Sequence, residues 1–222
     1  MRKKMHSYIF VGPSSTEHSQ ELLSRLPDVT VCAPARRGDI ARIIAEHKGE
    51  PSRIAVVDGI FHVFPAVGHA EILSAIRAGW QVWGLSSMGA IRAFEMSNLG
   101  MLGFGSVYQM FSNGTITSDD EVALIHSPDE PYTNFTHPLV HLRASLAWLT
   151  QTKALEPTHA KSILLSLQDQ WYGYRTMELF EDLLEKKGIT SEQIQFVRDN
   201  FSQFCLKAHD FEAFIEEVLC NS

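Results

Sequence analysis

Apolar, β-branched runs alternate with amphipathic stretches along the first half of the chain. Residues 8–11 (Tyr-Ile-Phe-Val) read as a strand stopped by Gly12-Pro13, and residues 17–26 as a helix with Leu22, Leu23 and Leu26 at core spacing. Residues 29–32 form a second short strand. Asp39 then opens a helix toward His47, its carboxylate suited to the free amides of a first turn. The continuous apolar run 54–57 is what a strand buried on both faces looks like, and it ends at Asp58-Gly59. A helix over 66–78 carries Ile72, Leu73 and Ile76 on one face and stops at Gly79. Residues 81–85 make the fourth strand, and a helix begins near Ala90, which leaves 86–89 as the turn between them.

Strands alternating with helices predict an α/β fold: a mostly parallel open sheet flanked by helices. After a helix over 106–113 and the apolar run 122–125, the period becomes helical. Leu139, Leu142, Leu146 and Leu149 share a stripe, followed by helical patterns at 163–167, 179–184 and 211–219. The expected organisation is an α/β core over residues 1–150 and a helical C-terminal extension over 151–222. In such sheets sites gather where loops leave the carboxyl ends of the strands, which brings Ser14, Arg37, Asp58 and Ser87 toward one rim.

Composition narrows the function classes. Hydrophobic residues are 45% and charged residues 20% of the 222, as in a globular protein. The net charge of −7, with no basic run longer than Arg2-Lys3-Lys4, argues against nucleic acid as a partner. No apolar stretch has membrane-spanning length, so no membrane association and a cytoplasmic location are expected. Cys32, Cys205 and Cys220 are scattered and form no Cys-x-x-Cys pair, which points to neither a disulfide framework nor a zinc site.

The turn Leu85-Ser86-Ser87-Met88-Gly89 carries the strongest chemical signal. Acyl-transfer enzymes place a serine on a sharp strand-to-helix turn, where the next amide and the helix N-terminus stabilise an oxyanion. Ser87 and Gly89 fit that pattern, while the upstream glycine lies one position too early, at Gly84. Helix capping by Ser86 or Ser87, and ligand binding by the turn's amides, are alternative readings. His69 and His126 are candidate bases for a serine nucleophile, and Asp58, at the end of a buried strand, needs a donor such as Arg37, Arg92 or a histidine. Arg92 and Glu95 sit at pairing distance on one helix, where an arginine can also hold a carboxylate or thiocarboxylate. Arg36-Arg37-Gly38-Asp39 combines guanidinium groups with a helix start, and Asp119-Asp120-Glu121 is an acidic run too small to cage a metal. Gly12-Pro13-Ser14-Ser15-Thr16 lacks the Gly-Lys of a phosphate loop, and Gly100 to Gly105 has its glycines in the wrong order for a dinucleotide. No cofactor and no metal are expected.

Several segments together resemble the TfuA-like family: Gly12-Pro13-Ser14, Arg37-Gly38-Asp39-Ile40, Val57-Asp58-Gly59-Ile60-Phe61, Pro65-Ala66-Val67 with His69 and Glu71-Ile72-Leu73, Ser87-Met88-Gly89-Ala90 with Arg92-Ala93 and Glu95, and Asp119-Asp120-Glu121-Val122-Ala123. The likeness covers roughly the first 145 residues. It departs from the family pattern at Gly68, where a bulky aromatic is usual, and at His141-Leu142-Arg143, in place of an Asn-Ile-Arg run.

The resemblance implies an accessory enzyme of peptide backbone thioamidation, working beside a YcaO-type enzyme on a substrate peptide. It would hydrolyse a thiocarboxylated, ubiquitin-like sulfur-carrier protein and release sulfide. Under that reading Ser87 is nucleophile or oxyanion-site residue, His69 the base and Asp58 its orienting carboxylate. Ser14, Arg37, Asp39, Gly89, Arg92 and Glu95 bind substrate, and Asp120, Glu121 and His126 are further candidates. A non-catalytic adaptor that docks the YcaO enzyme to its peptide is the alternative, and a small-molecule sensor a third reading.

Overall fold

The computed structural model describes residues 5–47, 51–60 and 64–221. Arg2-Lys3-Lys4 and Phe61 lie outside the described residues. The chain divides into two compact units: one formed by residues 1–117 together with 207–222, the other by 118–206.

The first unit is built on β1 (Ser7–Phe10), α1 (Glu17–Ser24), β2 (Val29–Cys32), α2 (Asp39–Glu46), β3 (Arg53–Val56), α3 (His69–Arg77), β4 (Gln81–Gly84), α4 (Met88–Glu95), β5 (Leu102–Gly103) and α5 (Gly105–Ser112). The second holds α6 (Leu139–Gln151), α7 (Pro157–Gln168), α8 (Met177–Glu185) and α9 (Ser191–Asp199). α10 (Leu206–Phe214), continued by a π-helical turn over Ile215–Leu219, returns to the first.

The five strands are all parallel, in the order β2-β1-β3-β4-β5. The chain therefore moves outward from β1 to β2, then reverses across β1 to β3. That reversal makes the carboxyl ends of β1 and β3 the topological switch point, the place where open α/β sheets bind ligands.

Strand residues sort alternately into two cores, as a period of two requires. Phe10, Ile54, Val56 and Val82 pack with Ile40 and Ile43 of α2, Ile72 and Ala75 of α3, and Ala93 of α4. Ile9, Val11, Ala55, Val57 and Leu85 pack with Leu22 and Leu23 of α1 and with Phe211, Phe214 and Ile215. The apolar stripe at 211–219 is thus the cover of the sheet's second face. In the other unit Leu139, Leu142, Leu146 and Leu149 meet Ile163, Leu167, Phe180, Leu184 and Val197.

Local details differ from the sequence pattern. α4 starts at Met88, two residues early, and Leu102–Gly103 pairs with β4 as a strand too short for periodicity to reveal. Asp119–Glu121 is a single 3-10 turn, followed by buried Val122 and Ala123 with no strand at 122–125. Thr150 falls inside α6, because the Leu139–Leu149 stripe continues through it into one core. Among the described residues no helix is long and apolar enough to cross a membrane.

Candidate functional site

The β4–α4 turn is drawn tight by two glycines. A Cβ on Gly89 would lie 1.7 Å from Val56 O, and one on Gly84 2.1 Å from Gly89 O, so α4 rides directly on the strand ends only with hydrogen at both positions. Val57 O accepts from the Ser87 amide at 3.2 Å and, more weakly, from Gly89 at 3.4 Å. Between these anchors Ser86 takes φ 62°, a left-handed conformation that costs a non-glycine residue on the order of 1–3 kcal/mol. Its fully buried hydroxyl donates to Lys207 O at 2.8 Å.

Ser87 follows as the N-cap residue of α4, yet its side chain makes no capping hydrogen bond. Neither serine hydroxyl caps the helix, then. Both are buried; the Ser86 hydroxyl is a tie, and the Ser87 hydroxyl, on a residue 3% exposed, stands at the helix N-terminus without a capping bond. The Met88 amide opens α4 and so has no intrahelical acceptor. Hydroxyl, amide and helix dipole together form a place suited to a developing negative charge.

Asp58 sits beside this turn at the end of β3, 2% exposed. Its Oδ2 accepts from the amides of Gly12 and Ser14, each at 2.9 Å, and its Oδ1 accepts from the Ser14 hydroxyl at 2.8 Å. Lys207 Nζ stands 4.0 Å from Oδ1, itself 2% exposed. The donors expected for Asp58 were Arg37, Arg92 or a histidine. Its partners are instead the β1–α1 loop and a lysine from the far end of the chain. Ser14 is likewise spent on holding that loop. Lys207 was missed by sequence reasoning, since its only signal is a cation among apolar neighbours in Phe204-Cys205-Leu206-Lys207-Ala208.

His69 belongs to a separate cluster. Its Nε2 lies 2.8 Å from Glu95 Oε2, which also accepts from Arg92 at 2.6 Å, while Arg92 Nε donates to Val67 O at 3.0 Å. Glu95 is eight residues beyond Ser87, about 12 Å of helix rise. His69 is therefore held toward the opposite end of α4, and its carboxylate partner is Glu95, not Asp58. The Ser87–His69–Asp58 arrangement is not assembled.

Asp39 and Glu71 are engaged locally. Gly38, φ 94°, is the N-cap of α2, so Asp39 is its first helical residue and not the cap. Asp39 accepts from the Arg36 amide at 2.9 Å and from Arg42 at 3.0 Å. Glu71 accepts from the amides of Gly68 at 2.8 Å and Gly38 at 3.0 Å, joining the Arg37-bearing turn to the start of α3. The Arg37 amide donates to Pro65 O, and its Nε would lie 3.9 Å from a Cβ on Gly68.

In the second unit Asp120 pairs with Arg175, which is fully buried and also donates to Leu167 O, Asp120 O and Gln170 O. Glu121 Oε1 accepts from Arg143 at 2.6 Å, while Glu121 Oε2 and Arg143 Nε are buried without a hydrogen-bond partner. His126 Nδ1 lies 2.6 Å from Ser127 O and its ring stands edge-on to Tyr132, so it is tied into its own loop. Among the described residues no group of three His, Cys, Asp or Glu side chains is arranged to hold a metal ion.

Residues 58–176, more than half of the chain, match the model of the TfuA-like protein family. The chain belongs to the TfuA-like family. That membership associates it with YcaO-type thioamidation of peptides. No curated protein compared with the chain matches it. The matched span begins at Asp58, runs through the Ser86–Gly89 turn and the Arg92, Glu95 and Asp119–Ala123 positions, and closes just past Arg175. Lys207 lies outside it.

Proposed function

We propose that this TfuA-like protein hydrolyses the C-terminal thiocarboxylate of a ubiquitin-like sulfur carrier in the cytoplasm, releasing sulfide to a YcaO-type partner that thioamidates a peptide. The observation that carries the reading is the Ser87 hydroxyl, free of a capping bond at the N-terminus of α4, next to the Met88 amide. Hydrolysis adds the oxygen of water to the carbonyl carbon and breaks the C–S bond, and both protons of the water pass to the departing sulfur, leaving a carboxylate and hydrogen sulfide. Attack drives negative charge onto the carbonyl oxygen. The Met88 N–H and the helix dipole are suited to stabilise it, because they are fixed before the reaction and need no reorganisation. Ser87 supplies the hydroxyl of the site, either attacking first to form an ester that water then opens, or orienting the oxyanion.

The direct test is to incubate the purified chain with a thiocarboxylated carrier and follow sulfide. Release above the uncatalysed rate, abolished in Ser87→Ala, is the expected result.

One observation favours an adaptor instead. Trp171 and Tyr174 are 55% and 62% exposed and in ring contact, an apolar pair suited to a protein partner. No sulfide release by the pure chain, with thioamidation by the partner enzyme still dependent on it and sensitive to Trp171→Ala, would establish that role.

A further inference from the structure

We infer that Lys207 is a positioning residue of the elbow, holding the ends of β3 and β4 at the spacing the Ser87 site requires. This rests on the hydrolase reading for its kinetic consequence, but its structural part stands apart from it. Two chemically different ties of Lys207 meet the sheet's carboxyl rim. Its ammonium lies 4.0 Å from Asp58 Oδ1 at the end of β3, and its backbone carbonyl takes the Ser86 hydroxyl at 2.8 Å at the end of β4. Both side chains of the ion pair are 3% exposed, so the attraction is little screened.

Asp58 in turn fixes the amides of Gly12 and Ser14, and Ser86 is the strained residue that sets where Ser87 and Met88 point. One residue of the α10 segment thereby joins three loops at the sheet's carboxyl rim. Phe211, Phe214 and Ile215, all fully buried in the sheet's second core, fix that segment in place, so Lys207 is delivered on a rigid element. Strained conformations persist only when their surroundings over-determine them, and the carbonyl of Lys207 is what the Ser86 hydroxyl grips.

The test separates the two ties. Lys207→Met keeps the aliphatic stem and removes the charge, and Ser86→Ala removes the hydroxyl that grips the carbonyl. Each is expected to lower kcat for sulfide release by about tenfold or more with little change in KM, because the substrate still docks while the reacting groups are displaced. The double variant should lose less than the product of the single losses, since both changes break the same assembly. Lys207→Arg, which restores the charge, should recover part of the rate.

The amide resonances of Ser87 and Met88 supply a readout independent of turnover and should shift in Lys207→Met. Unmoved amide resonances, or a kcat within twofold of the wild type, would overturn the inference. So would purely multiplicative losses. If the wild type releases no sulfide while the amides do shift, the hydrolase reading fails and the positioning role stands.

Discussion

The Ser14 hydroxyl donates to Asp58 Oδ1 at 2.8 Å, and the Ser14 amide donates to the other oxygen of the same carboxylate at 2.9 Å. One residue of the β1–α1 loop is thus clamped twice by the end of β3, at the point where the sheet reverses direction. A buried carboxylate with this many donors is a structural keystone. Ser14→Ala should cost about 1.5–3 kcal/mol, the range for a hydrogen bond to a charged acceptor. Asp58→Ala removes the buried carboxylate that binds the Gly12 and Ser14 amides, the Ser14 hydroxyl and the Lys207 ammonium, and should cost about 3–5 kcal/mol. Urea unfolding of the two variants checks both the order and the scale.

Ser87→Ala removes a hydroxyl that makes no capping bond, so the melting temperature should stay within a degree or two while sulfide release is lost. Gly89→Ala should instead lower the melting temperature. Its Cβ would lie 1.7 Å from Val56 O, a backbone atom that cannot turn aside, and destabilisation of roughly 3 kcal/mol or more is expected. Thermal melts beside sulfide assays distinguish the two.

His69→Ala should leave sulfide release within about threefold of the wild type, since the ring is bound to Glu95 some two helical turns from Ser87. Stability should change by less than about 1 kcal/mol, as for other solvent-exposed polar side-chain pairs. A loss of a hundredfold or more would show that α3 and α4 move to bring the imidazole to the elbow.

Arg143→Leu should destabilise the second unit by about 3–5 kcal/mol, because Glu121, 2% exposed, would keep a buried charge without its cation. Pairing the change with Glu121→Leu should recover most of the loss, as replacing both partners with apolar groups removes the unpaired charge. A double-mutant cycle in urea reads this coupling.

His137 packs edge-on to Phe201, and burial pushes its pKa below the usual 6.5, with Glu178 opposing the shift. The unfolded chain therefore takes up the proton more readily than the folded one. The stabilisation from keeping this ring neutral is complete above pH 6.5 and is lost as pH falls from there toward the depressed folded value. His137→Gln should unfold with a smaller loss of stability between pH 7.5 and pH 5.5 than the wild type. Chemical denaturation at those two pH values measures the difference.

Period and punctuation carried much of the architecture in the sequence. Alternating β-branched runs, a fully apolar 54–57 and glycines at strand and helix ends specify parallel strands with crossover helices, because side-chain period and backbone freedom are local properties. The Ser86–Gly89 turn was visible for the same reason, since a strand cannot pass into a helix so abruptly without small residues. Family likeness rested on the same local segments.

Tertiary structure alone decided the partners. Asp58 reaches Gly12, Ser14 and Lys207, and His69 reaches Glu95, through contacts that join residues distant in sequence and leave no periodic trace. Nor could pattern show that residues 211–219 return to cover the sheet, because an apolar helical stripe records that it is buried and not against what. Which serine is tied down and which is left unbonded depended on a carbonyl from Lys207, and only the folded chain brings that group to the turn.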